Sequence, residues 1–167
     1  MQEYDIRNLN VLVAEDNRHM RFLVKTILHG YGIKNVNEAD DGSDALKAMK
    51  TFPADVVITD WLMEPLDGID LTRMIRTSSD SANPFVPIIM LTGYTETARV
   101  QEARDSGITE FLAKPISSLS LYNRIVQIIE KPRGFVKTKG FTGPCRRRRQ
   151  VELRGPDRRK DEDLDSD

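Results

Sequence analysis

Between residues 10 and 130 the chain alternates short apolar runs with stretches of helical period. "NVLVAED" (10–16) is a continuous apolar run that ends in two acids, which predicts a buried strand. "NRHMRFLVKTILHGYG" (17–32) places Met20, Leu23, Val24, Ile27 and Leu28 on one helical face, and Gly30 and Gly32 act as stop signals. "KNVNEAD" (34–40) predicts a second strand. "GSDALKAMK" (42–50) predicts a short helix with Ala45, Leu46 and Met49 inward. "DVVITD" (55–60) is a strand that again ends in an acid. A helix over 67–77 buries Leu71, Met74 and Ile75. "VPIIMLT" (86–92) is a fourth strand, and 96–107 is a helix closed by Gly107. "TEFLAKP" (109–115) is a fifth strand. A last helix over 117–131 turns Leu121, Ile125 and Ile128 inward, with Ser117 or Ser118 as its cap and Pro132 as its end.

Five strands alternating with five helices predict an α/β domain with a parallel sheet covered on both faces. In open sheets of this kind ligands bind beyond the carboxyl ends of the strands. After Pro132 the pattern fades, and 132–167 is expected to be a tail with little structure of its own. The domain is thus placed at 1–131 and the tail at 132–167.

Charge sharpens that division. The 167 residues carry a net charge of −1. Residues 1–130 hold 19 acidic and 13 basic side chains, a net of −6, whereas 131–160 hold 12 basic and 2 acidic, a net of +10. The last seven residues, "DEDLDSD", add five acids. Cys145 stands alone, so no disulfide forms within one chain. The longest apolar run is far too short to cross a bilayer, and the first residues lack the pattern of a secretory signal. A cytoplasmic location with no membrane insertion is expected.

Strand ends deliver chemistry to one edge of the sheet: Glu15 and Asp16, Asp60, Thr92, and Lys114 ahead of Pro115. Acids that converge repel one another unless a cation joins them. Hard divalent ions need only one or two protein carboxylates. An aspartate held by metal and lysine is suited to attack a phosphoryl group. His19 and His29 have no paired ligands and are expected at the surface or in the core. Trp61 is expected to pack.

With "VLVAEDN", "ITD" before Asp60, Gly68 eight residues after it, "LTG" at Thr92 and "KP" at 114–115, residues 8–131 resemble the CheY-like receiver domain of two-component response regulators. The resemblance implies a doubly wound (βα)5 flavodoxin-like fold with strand order 2-1-3-4-5. It implies Asp60 as phosphoacceptor and Mg2+ held by Glu15, Asp16, Asp60 and the backbone carbonyl of Leu62. Thr92 would be the switch hydroxyl, Lys114 the partner of the phosphoryl group and Phe111 the switch aromatic. A histidine kinase or phosphotransfer protein would supply the phosphoryl group. Three positions depart from the family pattern. Glu64 stands where proline is usual and Pro65 follows it; Phe111 replaces the frequent tyrosine; and Tyr94 follows Thr92 by two residues.

The tail carries a repeat. Gly143-Pro144-Cys145-Arg146-Arg147-Arg148 aligns with Gly155-Pro156-Asp157-Arg158-Arg159-Lys160 at an offset of 12 residues. The stretch 143–159 holds seven arginines and no lysine. Arginine forks bind phosphate in pairs, read guanine and stack on purines. Asp157 and Glu152 do not suit a simple phosphate binder, but a carboxylate accepts from the donor edge of guanine. Paired units of this type suit a two-fold ligand with two guanines and two phosphates, and cyclic di-GMP is one. A receiver followed by this duplicated motif resembles the Cle family of CheY-like cyclic di-GMP effectors. The resemblance implies cyclic di-GMP at Gly143, Pro144, Arg146, Arg147, Arg148, Arg154, Gly155, Pro156, Asp157, Arg158 and Arg159. It further implies engagement of the flagellar motor switch protein FliM through the last strand and its flanking helices, including Phe111, Tyr122 and Asn123, to affect motility and surface attachment. The tail lacks a recognition-helix pattern, so sequence-specific nucleic-acid binding is not expected. Nothing beyond a receiver's own phosphoryl chemistry suggests an enzyme. The alternative is a phosphorylation-driven single-domain regulator whose basic tail binds nucleic acid or nothing specific.

Overall fold

The computed structural model describes residues 5–93, 97–137 and 141–144. Five parallel strands form one sheet in the order β2-β1-β3-β4-β5. They are β1 Asn10–Ala14, β2 Asn35–Ala39, β3 Val56–Asp60, β4 Ile88–Thr92 and β5 Glu110–Ala113. The intervening helices are α1 Arg18–Gly30, α2 Gly42–Met49, α3 Gly68–Thr77 and α4 Thr97–Ser106, with α5 Ser118–Glu130 after β5. This is the flavodoxin-like arrangement expected from the sequence, with each predicted element in place. Among the described residues, no helix is long and apolar enough to cross a membrane.

The central strands read as unbroken apolar runs because both their faces are covered. Along β1, Leu12 and Ala14 join one buried cluster with Trp61, Leu71, Ile75 and Met90. Val11 and Val13 join the other, with Val24, Leu28, Ile58, Leu91, Leu121 and Ile125. The period of two thus feeds two layers of helices from one strand. The helix starts are fixed by side-chain caps: Asn17 accepts from the His19 and Met20 amides, Asp41 from Asp44 and Asp67 from Asp70. Ser117, rather than Ser118, caps α5 in a reciprocal box with Ser120.

Two inward assignments are corrected. Leu23 on α1 and Met74 on α3 are each 41% exposed. Both lie at the edge of an apolar stripe whose centre, Val24 and Leu28 or Leu71 and Ile75, fills the core. Trp61 packs as expected, at 3% exposure.

The larger correction concerns the start of the tail. Residues 132–144 were expected to lack structure, yet β6 Phe135–Lys137 and β7 Thr142–Pro144 pair as an antiparallel hairpin. The hairpin packs at the edge where β4 and β5 begin, opposite the end that carries Asp60. Its anchor is Arg76, near the end of α3 and only 3% exposed. The guanidinium donates to the carbonyls of Gly107 at 3.0 Å, Pro84 at 2.8 Å and Val86 at 2.6 Å. It also lies 4.9 Å from the ring centre of Phe135, which meets Phe85 edge-on at 5.0 Å. Arg133 reaches the buried Glu110 at 3.3 Å. Gly107 has φ +108°, and a Cβ there would sit 2.9 Å from the Arg76 side chain and 3.0 Å from the Thr142 carbonyl. Only glycine fits between the arginine and the hairpin.

Burial lowers the pKa of Arg76 to about 9, so it remains charged at neutral pH. Its value lies in three carbonyl acceptors, those of Gly107 and Val86 buried and that of Pro84 partly so. Arg76→Met keeps the bulk and removes the donors, leaving those acceptors without the partner they have now. A loss of about 3 kcal/mol is expected, seen as a fall of about 10 °C in Tm by circular dichroism. An unchanged Tm would mean that the hairpin and loops are held by other contacts.

Candidate functional site

The strand exits bring Glu15, Asp16, Asp60 and Lys114 together, as the sequence predicts. One oxygen from each of Glu15, Asp16 and Asp60 lies within 4.8 Å of the others. Glu15 and Asp60 are buried, at 1% and 7% exposure, whereas Asp16 is exposed. Lys114 Nζ meets Asp60 Oδ1 at 2.8 Å.

Local structure holds each acid in place. Asn17 N–H donates to Glu15 Oε1 at 3.1 Å, so the residue that caps α1 also orients the acid before it. Arg21 donates to the Glu15 carbonyl at 2.8 Å and pairs with Asp40. The Thr59 hydroxyl donates to the Asp60 carbonyl at 2.9 Å. Gly68 packs on the same carbonyl so closely that a Cβ would lie 2.2 Å from it, while its N–H donates to the Trp61 carbonyl. The glycine eight residues after Asp60 is therefore explained by close backbone approach. The amide of Lys114 donates to the Thr92 carbonyl at 2.9 Å, which ties the lysine to the exit of β4.

The charges do not balance within the protein. Burial pushes the Glu15 carboxyl up to about 7; the Asn17 amide opposes this, and the neighbouring Asp60 charge adds to it. Glu15 Oε2 is buried with no hydrogen-bond partner. An orphaned buried oxygen beside two further carboxylates, with one lysine among them, fits a hard divalent cation. Mg2+ matches the all-oxygen donor set, and it commonly retains several waters.

The remaining expected site residues are placed as follows. Thr92 is buried at the exit of β4, one position beyond Leu91, the residue paired with Asp60. Leu62 is 57% exposed beyond the end of β3. Phe111 is half-buried on β5 against the core cluster that holds Trp61 and Met90, and its carbonyl accepts from Arg124 Nε at 2.8 Å. Glu64 is exposed and is not one of the three converging acids; its bond to Pro65 is cis, as is that between Lys114 and Pro115. Tyr94 lies outside the described residues. Tyr122 on α5 stacks on Tyr31 at 4.7 Å, whose hydroxyl accepts from Ser118.

Of the tail residues, Gly143 and Pro144 are described, and both are buried in β7. A Cβ on Gly143 would lie 2.9 Å from Gly107 Cα. The first Gly-Pro pair is thus a packing element. Arg146, Arg147, Arg148, Arg154, Gly155, Pro156, Asp157, Arg158 and Arg159 lie outside the described residues. Sequence reasoning missed Arg76, Glu110 and Arg133. Arg76 lies on α3, Glu110 on β5 and Arg133 beyond α5, and the hairpin strands they meet are three residues each, so no pattern in the sequence links them.

The chain belongs to the response regulator receiver domain family, whose match spans residues 11–126. Chemotaxis protein CheY-3 of Vibrio cholerae is 34% identical over 125 residues, which cover 75% of this chain and 95% of that protein. Chemotaxis protein CheY of Pseudomonas aeruginosa is 32% identical over 126 residues, covering 75% of this chain and all of the relative. Among solved structures, V. cholerae CheY4 superposes with a TM-score of 0.64 at 32% identity, covering 72% of this chain and 98% of that one. The receiver domain of the Francisella response regulator 1452 gives a TM-score of 0.66 at 33% identity, covering 74% and 98%. The family match stops ahead of the hairpin.

The acid cluster has a consequence for stability. The fold favours the protonated form of Glu15, so without metal its contribution is best at low pH. As pH rises from 4.5 towards 7, the unfolded chain gives up this proton before the folded one does. Stability should fall across that window by as much as about 3 kcal/mol. Chemical denaturation in EDTA should show the fall; Glu15→Gln should flatten it, and millimolar Mg2+ should reverse it above pH 7. A flat profile in the metal-free wild type would contradict this reading of the cluster.

Proposed function

We propose that this receiver protein is a two-input signalling adaptor, with a phosphoacceptor at one end of its sheet and a cyclic di-GMP-binding tail rooted at the other. The observation that carries the first input is the buried Asp60 held at 2.8 Å by Lys114 beside two further acids. Asp60 is the phosphoacceptor. Its carboxylate oxygen attacks the phosphorus of a phosphohistidine on a kinase or phosphotransfer protein, the P–N bond breaks, and the electron pair leaves with the imidazole. Mg2+, held by Glu15, Asp16, Asp60 and the Leu62 carbonyl, would offset charge on the transferring oxygens. Lys114 turns from the carboxylate to the phosphoryl oxygens, and the Thr92 hydroxyl donates to them. Phe111 packs at the core edge next to this strand and follows the movement of Thr92. No turnover beyond the receiver's own phosphorylation and hydrolysis is proposed.

The second input rests on the duplicated Gly-Pro-x-Arg-Arg motif. Arg146, Arg147, Arg148, Arg154, Arg158 and Arg159 bind the two phosphates and stack on the two guanines of cyclic di-GMP. Asp157 accepts from one guanine's donor edge. Gly143-Pro144, buried in β7, roots the first unit on the receiver, and Gly155-Pro156 sets the bend that presents the second. The loaded protein engages FliM through β5 and its flanking helices, which include Phe111, Tyr122 and Asn123, and so modulates motility and surface attachment. The similarity to CheY proteins supports a motor partner, as those relatives are named for chemotaxis.

A second reading is favoured by the completeness of the acid site. In it phosphorylation alone drives the protein, and the basic tail binds nucleic acid or nothing specific. Isothermal titration of the full-length protein separates the two. Cyclic di-GMP should bind at micromolar concentration, Arg147→Ala and Arg158→Ala should each weaken binding at least tenfold, and Asp60→Asn should leave it unchanged. Asp157→Ala should cost more than Cys145→Ala. Absence of heat at tens of micromolar ligand would leave the phosphorylation-driven reading.

A further inference from the structure

Arg21 stands at an unfavourable place for a cation. α1 begins at Arg18 with no acid in its first turn. Arg18 and Arg21 therefore put two positive charges at the end of the helix whose free N–H groups already carry partial positive charge. The placement has a local reason. Long side chains on a helix lean back towards its N-terminus, so a residue one turn into α1 reaches the β1–α1 junction. Arg21 uses this reach. Its Nη1 donates to the Glu15 carbonyl at 2.8 Å and also to Asp40, and its Nε lies 3.5 Å from Glu38 Oε1.

These contacts close a ring around Glu15. Its N–H donates to the carbonyl of Ala39 at 3.1 Å, one residue before Asp40. Its own carbonyl accepts from Arg21, which also holds Asp40. The backbone of Glu15 is thus tied on both sides to the exit of β2. The Asn17 N–H holds Oε1, and Oε2 is left buried without a partner. The ring continues to the β3–α3 connection. Beyond the Asp41 cap, the Gly42 N–H donates to the Leu66 carbonyl at 3.2 Å, and a Cβ on Gly42 would lie 2.8 Å from that oxygen. Leu66 shares its connection with Leu62. Stability alone does not account for the arrangement. Glu38 and Asp40 are exposed, and ion pairs to exposed acids contribute little.

We propose that Arg21 is a positioning residue for the cation site: by gripping the Glu15 carbonyl and Asp40 in one fork, it holds the β1 exit against the β2 exit and presets the Glu15 carboxylate for the ion. The inference rests on the reading of Glu15, Asp16 and Asp60 as a Mg2+ site. Partners outside the coordinating atoms commonly tune metal affinity by about one to two orders of magnitude. The charge of the guanidinium acts the other way. A cation close to a cation site repels the ion, so loss of the charge by itself would tighten binding. Loss of the fork weakens it. The direction of the change therefore separates positioning from simple charge.

The test is a Mg2+ titration of the full-length protein. It is read by the fluorescence of Trp61, the chain's single tryptophan, which follows Asp60, and by the Mg2+-dependent rise in Tm. Wild type should bind. Arg21→Met, which keeps the length but loses the charge and the donors, should raise the dissociation constant about tenfold. Arg21→Lys, which keeps the charge but not the fork, should raise it about threefold and decides the matter if Arg21→Met does not fold. If wild type binds Mg2+ while Arg21→Met binds it equally or more tightly, or Arg21→Lys matches wild type, the positioning role is overturned and the cation site stands. A lowered Tm of metal-free Arg21→Met with an unchanged dissociation constant would mark a merely structural contact and overturn it as well. If wild type shows no Mg2+ binding by either readout, the cation reading and this inference fall together.

Discussion

Like charge at the strand exits is the constraint around which the site end of this fold is organised. Glu15 and Asp60 are buried within reach of each other and of Asp16, and Lys114 pairs with Asp60 at their edge. Such a cluster is costly unless something offsets it. The surrounding structure gives the acids little room to escape. The Asn17 cap fixes Glu15, the Thr59 hydroxyl and the close approach of Gly68 fix the backbone of Asp60, and the Thr92 carbonyl fixes that of Lys114. The core residues of β1, β3, β4 and β5 serve this end by setting the register that brings four strand exits level.

The opposite end of the sheet solves a different problem with a single cation. Arg76 is buried and donates to three backbone carbonyls and the Thr109 hydroxyl. It draws together the approaches to β4 and β5 and offers its face to Phe135, so that residues past the last helix become part of the packed body. The five-residue strands, at about 3.3 Å per residue, keep the two ends about 15 Å apart. Acidic chemistry and the root of the basic tail are thereby held on separate edges of one rigid sheet. This separation matters in a chain whose first 130 residues are net negative and whose next 30 are strongly positive.

The sequence revealed the receiver end well. Apolar runs ending in acids are unusual, and their recurrence at Asp16 and Asp60, with Thr92 and Lys114 at the other exits, locates the site without coordinates. Gly68 was visible as part of a motif, but its cause, contact with the Asp60 carbonyl, is a matter of packing. The hairpin was not legible. Its strands are three residues each, too short for periodicity to register. Its anchors, Arg76, Phe85 and Glu110, are spread over 35 residues of earlier sequence, where each looks like an ordinary surface or strand residue. Leu23 and Met74 were misplaced for a related reason: a helical stripe has edges, and the period alone does not say where burial stops.

The most direct test of the organising constraint is phosphoryl transfer to the intact protein from acetyl phosphate, followed by intact mass with and without Mg2+. A single phosphoryl adduct should form in wild type with Mg2+, disappear with EDTA, and be absent from Asp60→Asn. An adduct that forms equally well in EDTA, or that persists in Asp60→Asn, would contradict the assignment of the strand-exit acids as a cation-dependent phosphoacceptor.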